Sequence, residues 1–214
     1  DCQNLVKAMF KDEKFSKTIN MSGVNSINWA RIIAQAVYYF YAYFKVGNGQ
    51  PISFSVPTGN FGDIYAGYLA KKLGLPIDKL IVATNKNDIL HRAISGGDYT
   101  QKKVEETNTP SMDIQIASNF ERLLYDVKDC NSEVTKDVMS KIKNNTYKID
   151  KSDLDEIKKN FTSEMLDENE TVEMIKTIND ENQIVVDPHT AVGIGAVRKL
   201  GLENNCVVLS TAHP

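Results

Sequence analysis

Between residues 52 and 73 an apolar run, Ile52-Ser-Phe-Ser-Val56, meets Pro57-Thr-Gly-Asn-Phe-Gly-Asp63 and passes into Ile64-Tyr-Ala-Gly-Tyr-Leu-Ala-Lys-Lys-Leu73, a stretch with helical character. A strand that breaks at a proline, turns through two glycines and enters a helix leaves the first helical N–H groups unpaired and aimed at one point. That arrangement suits a phosphate. The glycines are expected to take positive φ and to let an anion approach with no Cβ in the way. The same residues also fit an ordinary strand-to-helix turn in which glycine serves geometry alone.

The turn lacks the Gly-Lys-Ser/Thr of nucleotide phosphate loops and the glycine spacing of the dinucleotide fingerprint. A cofactor's single phosphate is the anion that remains. The surrounding pattern alternates helices and strands. Residues 2–16 read as a short amphipathic helix, with Leu5, Val6, Met9 and Phe10 at helical spacing. Residues 27–45 read as a longer core helix, capped by Asn25 or Ser26 and ending at Gly47. Strands are expected at 52–56 and 79–84 around a helix at 63–73, a βαβ unit with parallel strands and a right-handed crossover.

From 86 to 120 the pattern loosens, with turns at Gly96-Gly97 and 108–111. Residues 119–180 read as charged and helical, with a capping box at Ser152-Asp-Leu-Asp155 and an apolar stripe of Leu154, Ile157 and Phe161. Strand-like runs return at 184–186 and 206–209, flanking a helix at 189–200. The expected fold class is α/β, a parallel-rich open sheet with flanking helices, with 52–56, 80–84 and 206–209 as core strands of one sheet.

A chain of 214 residues with 42% hydrophobic content buries one substantial core, as one domain or two small ones. Its net charge of −3 gives no electrostatic reason to expect nucleic acid or an anionic membrane surface as partner. The apolar run between Arg31 and Lys45 is short of the roughly 20 residues a bilayer requires. Cys2, Cys130 and Cys206 are scattered and odd in number, which argues for a reducing compartment without disulfides or a metal site. The expected location is cytoplasmic.

Three segments together resemble threonine synthase: Asn25-Ser-Ile-Asn-Trp-Ala-Arg31; 56–64 with Ala83-Thr-Asn-Lys-Asn-Asp88 behind it; and Leu209-Ser-Thr-Ala-His-Pro214. Residues 110–114, 118–124 and 187–193 resemble the longer, fungal and enterobacterial type of that family. The resemblance runs through the whole chain and is weakest at about 127–183. It implies a tryptophan-synthase-β-like fold, pyridoxal 5'-phosphate as cofactor, and conversion of O-phosphohomoserine and water to L-threonine and phosphate by a monomer or homodimer. It divides the chain into a main segment 1–126 with the cofactor-phosphate loop, a variable helical insertion 127–183 and a return to the α/β segment at 184–214.

Carried over by matching position, the amides of Gly59, Asn60, Phe61, Gly62 and Asp63 hold the cofactor phosphate, aided by the positive end of the following helix. Asp63 contributes its amide only, with its carboxylate turned away to cap the helix. The Thr211 hydroxyl meets the pyridine nitrogen, and as a neutral partner it tempers the ring as an electron sink. Asn25, Ser26 and Arg31, placed about one and a half turns into its helix, form a second anion site for the substrate's departing phosphate; the bland reading is a cap and a surface arginine. His189 fits a proton shuttle or a capping group. Asn85, Asn87 and Asp88 either line the crevice edge or make turns.

The family's cofactor-bonding lysine lies far upstream in an Ala-Phe-Lys-Asp-like motif preceded by Gly-Pro-Thr. Ala8-Met-Phe-Lys-Asp12 is a local copy without that lead-in, and far fewer residues separate Phe10 from Pro57 than the family places there. Lys11 therefore reads as a solvated helix residue and the chain as an excised C-terminal segment, inactive alone. Two rivals stand beside this reading. Another enzyme of the same fold type, such as a threonine dehydratase or cysteine synthase, has no use for the second phosphate site. A non-enzymatic threonine-synthase-like remnant or regulatory protein is the other.

Overall fold

The computed structural model describes residues 2–21, 23 and 25–214. In chain order it comprises α1 (Cys2–Lys11), α2 (Glu13–Thr18), α3 (Trp29–Val46), β1 (Ile52–Pro57), α4 (Gly62–Lys72), β2 (Ile77–Thr84) and α5 (Ile89–Gly96). A 3-10 turn (Pro110–Met112), α6 (Phe120–Val127), α7 (Ser132–Lys143), α8 (Lys151–Asn160), β3 (Phe161–Met165), α9 (Glu168–Asn182), α10 (Pro188–Leu200) and β4 (Cys206–Val208) follow. The strands form one parallel sheet in the order β3-β2-β1-β4. The three expected core strands share this sheet, and β4 is its half-buried edge.

The alternation in β1 decides how the sheet is covered. Ile52, Phe54 and Val56 join Leu80 and Val82 in the larger core, under α3 and α4, while Ser53 and Ser55 point to the opposite face. There Ser55 Oγ donates to the Gly193 carbonyl at 2.8 Å. That approach requires α10 to lie close, and Gly193 permits it, since a Cβ at that position would sit 2.8 Å from Val208. Ile81 and Ala83 pack on the same side with Val192, Ala196 and Val197 in a smaller core. Both faces of the parallel sheet are thus buried.

Several expectations fail for identifiable reasons. The helix expected over 2–16 breaks at Asp12, whose side chain accepts from the Phe15 amide at 3.0 Å and starts α2. α3 begins at Trp29 with Asn28, not Asn25 or Ser26, as its cap, because Asn28 Oδ1 accepts from the Ala30 amide at 2.9 Å. This helix is not buried all round. Ile32, Ala36, Tyr39 and Tyr43 form its inner stripe, whereas Ile33, Val37, Tyr38, Tyr41 and Phe44 are exposed.

The helical reading of 127–183 is broken by β3, which pairs with β2 from Leu80↔Phe161 to Thr84↔Met165. Phe161 therefore ends an apolar helical stripe by entering the sheet. The capping box lies at Asp167 and Glu170 on α9, while α8 starts at Asp150 with no side-chain cap. Residues 184–186 are not a strand. Ile184 and Val185 are exposed, and nothing pairs with them among the described residues. Between 86 and 120, α5 closes at Gly97, whose φ of +79° is the left-handed cap.

Candidate functional site

The C-terminal ends of the strands meet at one edge, where open parallel sheets bind ligands. Residues from five segments line one cavity of about 190 Å³ there: Ser26, Arg31 and Gln35; Val56 through Ile64; Ser111 and Met112; His189; and Thr211. The register explains the convergence. β1 runs directly into the glycine turn, and β4 lies parallel beside it with Ser55↔Val208, so the chain delivers Thr211 next to that turn.

Positive φ in the turn falls on Phe61 (φ 68°), the N-cap of α4, and on neither glycine. This corrects the expectation that Gly59 and Gly62 supply it. Phe61 is held in the left-handed region by its side chain, which is buried against Phe120 at 5.1 Å and Phe161 at 5.7 Å between ring centres. The glycines serve close approach. A Cβ at Gly59 would meet the Ser111 carbonyl at 2.5 Å, and one at Gly62 would meet Asn60 Oδ1 at 2.8 Å.

Asn60 folds its side chain back to accept from the Gly62 amide at 2.8 Å, so that donor is already engaged. The amides of Gly59, Asn60, Phe61, Asp63 and Ile64 donate to no partner among the described residues. Four of the five expected amide donors are thus open, and Ile64 adds one that the sequence reading omitted. Asp63 does turn its carboxylate aside, but not to cap the helix. Its Oδ1 accepts from the Tyr39 hydroxyl at 3.2 Å, and its carbonyl accepts from the same hydroxyl at 2.8 Å. Burial pushes the Asp63 carboxyl up to about 6, against a smaller lowering by Tyr39.

Ser26 and Arg31 line the cavity beside these amides, whereas Asn25 does not. The Asn25 side chain instead accepts from the Ile27 amide at 3.3 Å and shapes the loop. Because α3 starts at Trp29, Arg31 stands in its first turn, closer to the helix start than the sequence reading put it. Asn119, not singled out from sequence, ties this loop to the turn. Its Nδ2 donates to the Ser26 carbonyl at 3.0 Å and its backbone amide to the Asn60 carbonyl at 2.9 Å.

Asn85 and Asn87 settle as a buried clasp on the loop 105–113. Asn85 Nδ2 donates to Thr109 Oγ1 and Asp113 Oδ1, both at 2.8 Å, and Asn87 Nδ2 donates to Asp113 Oδ1 at 3.0 Å. Thr107 Oγ1 donates to the same Asp113 oxygen at 2.7 Å. Asp88 instead pairs with Arg92 at 2.9 Å. The clasp positions Ser111, which the sequence offered only as part of a matching stretch. His189, at the second position of α10, places Nε2 2.6 Å from Ser111 Oγ and Nδ1 3.1 Å from Asp187 Oδ1.

Among the described residues no cluster of side chains fits a metal ion, and no helix is long and apolar enough to cross a membrane. Cys130 and Cys206 are free thiols; the Cys2 side chain lies outside the described residues. The loop-and-helix cavity therefore offers open amides, an arginine, hydroxyls and a histidine, a donor set for an oxygen-rich anionic ligand.

No protein-family model matches the chain. Among curated proteins it is 45% identical over 239 residues to threonine synthase of Saccharomyces cerevisiae and 45% identical over 218 residues to that of Pseudomonas aeruginosa. Each alignment covers all of this chain and 46% of the relative. Among solved structures, PLP-bound threonine synthase from Brucella melitensis superposes with a TM-score of 0.93 at 45% identity, covering all of this chain and 47% of that one. The chain thus spans about half the length of these relatives. Both alignments run through all five segments that line the cavity, and the 214 residues belong to the threonine synthase family.

Proposed function

We propose that this chain supplies the phosphate-holding and ring-facing wall of a pyridoxal 5'-phosphate-dependent threonine synthase, which converts O-phosphohomoserine and water to L-threonine and phosphate. The observation that carries the reading is the single cavity in which the open amides of the glycine turn, Ser26 with Arg31, and Thr211 face one another.

The residues fit the cofactor's phosphate. Amides at Gly59, Asn60, Phe61 and Asp63 that are open among the described residues, together with the positive end of α4, make an anion seat. The bound group would supply an electron sink for carbanion charge next to the amino acid's α-carbon. Thr211 would meet the pyridine nitrogen with a neutral hydroxyl. Ser26 and Arg31 would orient the substrate phosphate, and the arginine fork would neutralise charge as that phosphate departs.

Asn25 is assigned a structural part only, since it shapes the loop that presents Ser26. The cofactor-bonding lysine is assigned to a part of the protein outside these 214 residues. Lys11 is exposed at the end of α1, and no lysine among the described residues lines the cavity. The division into 1–126, 127–183 and 184–214 is kept as a proposal, with β3 making the middle segment part of the sheet and not a detachable insertion. A cytoplasmic protein acting on a small molecule fits the free thiols.

The test is an assay of phosphate release and threonine formation from O-phosphohomoserine by the protein encoded by the whole gene, with and without Arg31→Ala. Threonine formation that falls in the variant supports the reading. Absence of turnover by an intact protein that binds the cofactor would favour the non-enzymatic alternative.

A further inference from the structure

Ser111 and His189 line the cavity, and with Asp187 they form a chain of contacts to which the proposed cofactor role assigns nothing. His189 bridges Asp187 and Ser111, with Nδ1 3.1 Å from Asp187 Oδ1 and Nε2 2.6 Å from Ser111 Oγ. Asp187 is buried and fixed. It accepts from the His189 amide at 2.8 Å, the Thr190 amide at 3.2 Å and the Thr190 hydroxyl. Burial alone would raise its pKa, but the hydrogen bonds from Thr190 and His189 outweigh it and hold the carboxyl below its ordinary value. A carboxylate beside Nδ1 selects the tautomer with the proton on Nδ1, leaving the Nε2 lone pair to accept from the Ser111 hydroxyl.

Ser111 is accessible, and its backbone cannot drift. The Asn85–Asp113 clasp holds its loop, and Gly59 packs against its carbonyl. The amides of Gly59, Asn60 and Phe61, open among the described residues, border the same cavity. Those are the parts of an acyl-transfer site: a hydroxyl, a base within hydrogen-bond reach, a group that fixes the base's tautomer, and N–H donors for an oxyanion.

We propose that Ser111 is a nucleophilic serine that accepts the acyl group of small carboxylic esters, with His189 as its general base and Asp187 as the positioning residue. Ser111 Oγ attacks the ester carbonyl carbon and its proton passes to His189 Nε2. The bond from carbon to the leaving oxygen breaks, and His189 returns the proton to the departing alcohol unless that group is stable as an anion. Water then adds to the acyl-serine, again losing a proton to His189, and the carboxylic acid leaves as Ser111 regains its proton. This activity needs neither the proposed cofactor nor the lysine assigned elsewhere, and because it uses the amides of Gly59, Asn60 and Phe61 that would hold the cofactor phosphate, it belongs to the protein without cofactor.

The probe is p-nitrophenyl acetate added to the protein encoded by the whole gene, prepared without cofactor, read by p-nitrophenolate release and by intact and peptide mass. The expected result is a burst approaching one equivalent with an acetyl group on Ser111, absent in Ser111→Ala. His189→Ala should slow the burst by roughly 100-fold, within the range for losing a general base. His189→Gln should slow it to a similar extent. Circular dichroism establishes that each variant is folded. If the histidine variants unfold, the Ser111→Ala comparison and the site of acetylation still decide. No acetyl-serine at residue 111, an equal burst in Ser111→Ala, or an undiminished burst in a folded His189→Ala would each overturn the proposal.

Discussion

Replacing Asp63 by asparagine removes a charge that the fold pushes toward its neutral form. Burial lifts the Asp63 carboxyl from 3.8 to about 6, and the Tyr39 hydroxyl offsets only part of that. A folded-state value above the unfolded one means that this group stabilises the fold fully below about pH 4 and that the contribution is lost as pH rises to about 6. The loss amounts to at most about 3 kcal/mol, at about 1.4 kcal/mol per pH unit. Asparagine keeps an acceptor for Tyr39 and carries no charge. Urea unfolding of both proteins at intervals from pH 3.5 to 7.5 gives the stability difference directly. The advantage of Asp63→Asn should grow between about pH 4 and pH 6 and level off above that. A difference that does not vary with pH would refute the reading that Asp63 is held against the core as a reluctant anion.

Gly59→Ala should weaken inorganic phosphate binding, measured by calorimetry, and cost about 1–3 kcal/mol of stability, because the new Cβ would meet the clasped Ser111 carbonyl. Asn85→Ala should destabilise the fold by about 1–3 kcal/mol in chemical denaturation, since it removes one buried donor from both Thr109 and Asp113 and leaves Asn87 and Thr107 to hold the clasp. In the whole protein, Arg31→Lys should already cost about 2–4 kcal/mol in kcat/KM for O-phosphohomoserine while cofactor affinity holds, because a point charge cannot replace a bidentate fork. Unchanged substrate kinetics in Arg31→Ala would return Arg31 to the solvated face of α3.

The sheet was legible where apolar runs are short, β-branched and bounded by turn residues, as at β1 and β2. β3 was not, because Phe161-Thr-Ser-Glu-Met165 is mostly polar and continues a helical stripe; only its pairing with β2 makes it a strand. The converse error at 184–186 came from β-branched residues that have no neighbouring strand among the described residues. In the site, the glycine turn, Ser26, Arg31, His189 and Thr211 could be found from local spacing and resemblance. Ser111 and Asn119 could not, since their roles depend on contacts with residues far away in the chain, such as His189 and Ser26. The positive φ went to Phe61 instead of a glycine because tertiary packing of its ring, invisible in the local sequence, holds the backbone there.

The central claim, that the turn after β1 is a phosphate seat, is tested most directly by recording backbone amide NMR shifts of the 15N-labelled 214-residue protein during titration with pyridoxal 5'-phosphate and, separately, inorganic phosphate. The account predicts that both ligands move the amides of Gly59, Asn60, Phe61, Asp63 and Ile64 most, that Gly59→Ala weakens both, and that mass spectrometry after borohydride reduction finds no cofactor bonded to Lys11. Unmoved amides in this turn, or cofactor bound only through Lys11, would contradict it.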